Sequence, residues 1–159
     1  KHMTQHMVPG FDRSWITSVK NAFLIRHPAR VIASYAEKRE NPTLDDIGFR
    51  QQAELFDMVC QSAGKAPPVL DSFAIRLDPR AQLTKLCAAL EISFQDQMLH
   101  WPAGGHRSDG IWASHWYGAV WKSTGFAGAE GGLPDVPAHL APVLEQALPF
   151  YEKMAGHSL

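Results

Sequence analysis

The sequence predicts an α/β fold in which a parallel sheet is linked by helical crossovers within a single domain. Three observations carry this expectation. Two short apolar runs, at 19–25 and 69–75, read as strands. Each is followed within a few residues by a segment of helical spacing that opens on a proline, Pro28 in one case and Asp78-Pro79 in the other. Between them, 45–63 carries Leu55, Phe56, Met58 and Val59 on one helical face. Strands alternating with helices are the pattern of parallel sheets.

The elements follow in order. Residues 1–7 begin without a helix cap or an apolar leader. The first strand is clearest at Phe23-Leu24-Ile25 and ends in Arg26. A helix over 28–39 follows. Val31, Ile32 and Tyr35 form its apolar stripe, and Arg30, Ser34 and Lys38 share another face at i, i+4 spacing. Asn41-Pro42 breaks the chain, 45–63 forms the second helix, and Gly64 stops it. Pro67-Pro68 leads into the second strand. The helix at 80–90 has Leu83, Leu86, Cys87 and Leu90 at core spacing. Residues 100–132, rich in Gly, Trp and His, read as a long loop, and 137–155 as a closing helix. Two strands, or three if the N-terminal segment is extended, make a thin sheet for this length.

Composition narrows the function. The 159 residues are 45% hydrophobic, enough for a real core, with formal net charge -1. That balance argues against bulk binding to nucleic acid. No apolar run approaches the ~20 residues of a membrane helix. Cys60 and Cys87 sit in apolar helical contexts and read as reduced, buried thiols, so a cytoplasmic protein is the expectation. His100, His106 and His115 fit no standard zinc spacing, and no metal is expected.

The most informative stretch is Leu24-Ile-Arg-His-Pro-Ala-Arg-Val-Ile-Ala-Ser-Tyr35. A strand ending in Arg26, a turn, and a helix opened by Pro28 together form an anion site. It combines a planar cation, helix N–H groups pointing back toward it, and the Ser34 hydroxyl further along. The unassisted alternative is a structural Arg26 paired with an acid such as Asp71, beside an ordinary helix serine.

These residues resemble the sulfotransferase signature for the 3′-phosphate of 3′-phosphoadenosine 5′-phosphosulfate (PAPS): Arg at a strand end, then Pro, then Ser eight positions after the Arg, then an aromatic. Arg26, Pro28, Ser34 and Tyr35 match. His27 replaces the family's usual acid, and Ala29-Arg30 stands in place of its Arg-Asp pair. Val69-Leu70-Asp71-Ser72-Phe73 with Asp78-Pro79 is similar to a second family stretch. His106-Arg107-Ser108-Asp109-Gly110 and 112–126 are similar to its late basic loop.

The resemblance implies the P-loop NTPase-like sulfotransferase fold. The chain contains no G-x-x-x-x-G-K-[ST] phosphate loop. Lys1 resembles the lysine of the family's next strand end, so the chain is read as the C-terminal portion of a longer, bacterial-type protein. The 5′-phosphosulfate loop would then lie outside it, leaving it inactive by itself. On this resemblance Arg26, Ser34, Arg30 and Arg107 bind PAPS or its product 3′-phosphoadenosine 5′-phosphate (PAP). Lys1, His2 and His6 are the catalytic candidates, because the family's base position falls on Met3. Trp112, His115, Trp116 and Trp121 shape an acceptor pocket, stack on adenine, or pack the loop. The expected partners are the nucleotide and an unidentified acceptor, with no nucleic acid and no membrane. A homo-oligomer that shares the site between subunits stays open. The competing readings are a nucleotide kinase or hydrolase relative and a non-catalytic binding module.

Overall fold

The computed structural model describes residues 2–37, 39–111 and 113–159. The chain divides into two compact units. One combines Lys1–Ser72 with Gly131–Leu159, and the other is Phe73–Glu130.

The first unit is built on two parallel strands, β1 (Phe23–Ile25) and β2 (Val69–Asp71), in the register Phe23↔Val69, Leu24↔Leu70, Ile25↔Asp71. The crossover between them runs through α1 (Pro28–Ala36), α2 (Leu44–Ile47) and α3 (Phe49–Ala63). The closing helix is α8 (Ala141–Ala155), numbered after four helices of the second unit. The architecture is therefore α/β with a small parallel sheet and many helices, as expected. The chain's last residues return to β2, where Leu159 N–H donates to Val69 C=O.

Two apolar clusters hold this unit together. In one, Met7, Phe23, Ile25, Leu55, Phe56, Val69 and Met154 pack the strands against α3 and α8, and the Phe23 and Phe56 rings meet edge to face. In the other, Ile32, Ile47, Phe49, Leu140 and Ala147 join α1, α2 and α8.

Three departures from the sequence reading have identifiable physical causes. The first strand shrinks from 19–25 to three residues. Asn21 Nδ2 donates to the Ile16 and Val19 carbonyls, which folds 19–22 onto the preceding 3-10 turn. The expected helix 45–63 is split at Gly48, which adopts φ +72°. A Thr43–Asp46 capping box starts the short α2 before the break. A Cβ on Gly48 would lie 2.7 Å from Gln5 N, so the N-terminal 3-10 turn Thr4–His6 rests directly on this corner. That segment is therefore a turn and not a third strand. Finally, the second strand ends at Asp71 instead of running to 75, and the chain winds into α4 (Ser72–Leu77). A short apolar run carries no period to separate the two outcomes.

The second unit holds most of α4, then α5 (Pro79–Leu90), α6 (Ala113–Trp116) and α7 (Gly118–Trp121). Asp78 Oδ1 caps α5 by accepting from Ala81 N–H, and Pro79 fills the first position. Residues 100–132 are more ordered than a plain loop. His100 bridges Gly125, Trp101 Nε1–H donates to Ser123 Oγ, and Trp121 Nε1–H donates to Asp109 Oδ2. Arg76 pairs with Glu130, whose side chain is almost fully buried.

Both cysteines are free thiols, Cys87 buried and Cys60 half-buried. Among the described residues no helix is long and apolar enough to cross a membrane.

Candidate functional site

The site lies where β1 and β2 end. Ile25 pairs with Asp71, so Arg26 leaves one strand level with the end of the other. Arg26 is half-buried. His27 follows with φ -53° and ψ 131° and caps α1, its Nδ1 accepting from Ala29 N–H at 3.2 Å. Pro28 has no N–H to offer. The Arg30 and Val31 amides both donate to the His27 carbonyl, at 3.0 and 3.3 Å.

This corrects one expectation. The helix does begin beside Arg26, but its first amides do not point at an open anion position. His27 takes them all, one through its ring and two through its carbonyl.

The imidazole sits among several groups. Its ring meets Tyr151 of α8 edge to face, with centroids 5.2 Å apart. Burial first, and then the neighbouring Arg30 cation, push its pKa below the ordinary histidine value, while Asp71 and Glu152 pull the other way. With Nδ1 accepting the Ala29 amide, the ring's proton belongs on Nε2. Tyr151 in turn donates its hydroxyl to Asp71 Oδ2 at 2.6 Å. Burial, and then that bond, raise the Tyr151 pKa strongly, so the phenol keeps its proton.

Ser34 is exposed in the last full turn of α1. Six residues of helix, about 9 Å of axial rise, separate it from Pro28. Arg26 and Ser34 can share one phosphate only if that phosphate lies along the helix flank and not over its N-terminus. Arg30 occupies the flank between them at i, i+4 from Ser34. Its guanidinium donates to the carbonyls of Gly131 and Gly132, the latter at 3.2 Å. Arg30, expected as a spare phosphate cation, also straps the 131–132 segment to α1.

The family model of the sulfotransferase domain matches residues 1–158. The chain belongs to this family. Two plant relatives from Arabidopsis thaliana are similar to it: branched-chain-amino-acid aminotransferase-like proteins 1 and 2. Each is 33% identical over 157 residues, which is 99% of this chain and 28% of the relative. The chain thus spans a little over a quarter of the length of these curated relatives. No solved structure matches it.

The remaining predicted residues of this sulfotransferase-family chain are distributed as follows. Lys1 lies outside the described residues, as do Lys38 and Trp112. His2 is exposed and stacks on Trp15, with centroids 4.5 Å apart, while His6 is exposed at the end of the Thr4–His6 turn. Arg107 is exposed in the second unit, in the turn where Ser108 N–H donates to His106 Nδ1 and His106 N–H donates to Asp109 Oδ2. Trp121 pins that turn through Asp109 and lies against Gly105, which is a packing role. Trp116 is half exposed beside His115. Among the described residues no group of three His, Cys, Asp or Glu side chains could hold a metal.

Sequence reasoning missed Tyr151. Its position fits the core spacing Ala147, Phe150, Tyr151, Met154, so it reads as one more buried aromatic. The partner 80 positions away that gives its hydroxyl a role leaves no mark in the local sequence.

Proposed function

We propose that this chain supplies the 3′-phosphate half of a PAPS-binding cleft in a sulfotransferase that transfers a sulfuryl group to an unidentified acceptor. Arg26 carries the reading. It is an arginine that directly follows β1 and precedes by two residues a nine-residue helix on which Ser34 is exposed. A guanidinium and a hydroxyl suit a phosphate, the first by paired charge-assisted hydrogen bonds and the second by a single one. The family assignment supports the nucleotide as ligand. PAPS, when bound, supplies the activated sulfuryl group. The chain's own residues would hold and orient the nucleotide, and exposed His2 or His6 would accept the acceptor's proton.

The sequence has no phosphate loop of the G-x-x-x-x-G-K-[ST] kind. On this reading the 5′-phosphosulfate is held by residues outside the chain, within the P-loop-type fold the family implies, and this chain alone binds nucleotide without turnover.

Calorimetric titration with PAP tests the assignment. Arg26→Ala should weaken binding by roughly ten- to a hundredfold, the value of a hydrogen-bonded charge pair at a phosphate. Ser34→Ala should cost several-fold, on the order of 1 kcal/mol. Unchanged affinity in Arg26→Ala, or ATP binding as tightly as PAP, would overturn it.

A further inference from the structure

We propose that Arg30 is a phosphate-operated latch: in the free chain it holds the 131–132 segment on α1, and a bound 3′-phosphate draws its guanidinium away and lets that segment go. The proposal rests on the reading of Arg26 and Ser34 as phosphate-binding groups and deepens it by adding a moving part to the same site.

The segment is fixed at both ends, and Arg30 holds its middle. Upstream, Arg76 Nε donates to the Gly128 carbonyl at 3.0 Å, and Arg76 Nη1 pairs with Glu130 at 2.7 Å. Glu130 is the last residue of the second unit. Downstream, Val136 packs against the cluster of Ile32, Ile47 and Leu140 in the first unit. Between these anchors, Arg30 Nη2 donates to the carbonyls of Gly131 and Gly132. Neither glycine is wedged in place, since a Cβ built on either would meet nothing within 4 Å. The next residue, Leu133, is 55% exposed. Packing does not seat this stretch on α1; the Arg30 hydrogen bonds do.

The same guanidinium stands where the phosphate would lie. Arg30 is one helical turn before Ser34, on the flank that the Arg26–Ser34 spacing selects. A phosphate takes a guanidinium best through a fork of two parallel N–H groups. The group offers two such forks, Nε with Nη2 and Nη1 with Nη2, and both include Nη2. A phosphate at Arg30 therefore competes with Gly131 and Gly132 for one nitrogen. The carbonyls are neutral acceptors, and hydrogen bonds to an ionised acceptor are roughly twice as strong. Both glycines are exposed, so their carbonyls pass to water instead of being left buried and unpaired. The exchange runs toward the phosphate. Nucleotide binding and release of the segment then favour each other, each by the same factor.

Backbone 15N relaxation of the full chain, with and without PAP, reads the latch. In the free chain Gly131, Gly132 and Leu133 should have order parameters near about 0.85, and saturation with PAP should lower them below about 0.6. A ligand that only braces its site raises order parameters or leaves them alone. Adenosine 5′-phosphate, which lacks the 3′-phosphate, should not lower them. In Arg30→Ala the three residues should be mobile before any ligand is added, and PAP should change them no further.

The parent chain alone decides the matter. Order parameters that PAP leaves unchanged or raises overturn the proposal, as do glycines that are already mobile in the free parent chain. An equal fall with adenosine 5′-phosphate, or with PAP in Arg30→Ala, overturns it as well. The underlying reading fails in a different way, when PAP binds with the same affinity to the parent and to Arg26→Ala. A chain that binds no PAP removes both.

Discussion

Gly48→Ala measures how firmly the N-terminal turn, which carries His6, is seated on the first unit. Gly48 ends α2 and precedes α3 with φ +72° and ψ 15°. Alanine in that left-handed conformation costs about 1–2 kcal/mol. The new Cβ would also stand 2.7 Å from Gln5 N and 2.8 Å from Thr4 Oγ1. One of these atoms is backbone, so rotating a side chain away does not relieve the clash, and the turn must move. Moving it sacrifices the Thr4 Oγ–H bond to the Gly48 carbonyl, 3.1 Å long and worth about 1 kcal/mol. It also loosens Met7, which is fully buried against the strands. The expected loss is about 2–4 kcal/mol in urea unfolding. Gly64→Ala is the control. It has φ +67° but nothing within 4 Å of the added carbon, so it should lose only the conformational part, about 1–2 kcal/mol. Equal losses in the two variants would refute the claim that the Thr4–His6 turn bears on this corner.

Two further outcomes follow from the site. Tyr151→Phe keeps the ring against His27 but deletes the hydroxyl bound to Asp71, and should cost about 1–2 kcal/mol in the same unfolding assay, because the acceptor is charged but the pair is only partly buried. The His27 pKa is lowered on folding, so the unfolded chain binds its proton more readily. The contribution of neutral His27 is thus present above the unfolded value near 6.5 and is lost as pH falls from there toward the folded value. Unfolding free energy measured between about pH 7.5 and 5.5 should fall less steeply in His27→Ala than in the parent chain. Parallel slopes would remove His27 from the account.

Much of the scaffold was legible because local chemistry fixes it. Pro28 at the head of α1, Asp78-Pro79 at the head of α5 and Gly64 after α3 mark helix ends by capping rules that need no tertiary context. The apolar triplet Phe23–Ile25 and the start of β2 were readable for the same reason. What could not be read depends on groups far apart in the chain. The split at Gly48 makes room for Gln5, 43 positions earlier, and Arg30 finds carbonyl partners at Gly131 and Gly132. At the site, the strand–Arg26–helix arrangement was visible, but the cap was not. A histidine before a proline carries no signal that its ring will turn back on the following amide. The Tyr151–Asp71 bond was hidden in the same way, behind spacing that fits an ordinary core residue.

The split composition of the first unit bears on how the chain folds during synthesis. Both of its apolar clusters need α8: Met154 completes one, and Leu140 with Ala147 the other. Residues 64–140 separate the end of α3 from the start of that helix. At translation rates of about 5–20 residues per second, α1, α2 and α3 wait on the order of ten seconds before their partner is made. Phe73–Glu130 is contiguous, so all its own contacts are within reach before α8 emerges. The Arg26 end of β1 therefore takes its final shape only after α8 has been made, when Tyr151 arrives to bind Asp71 and close over His27.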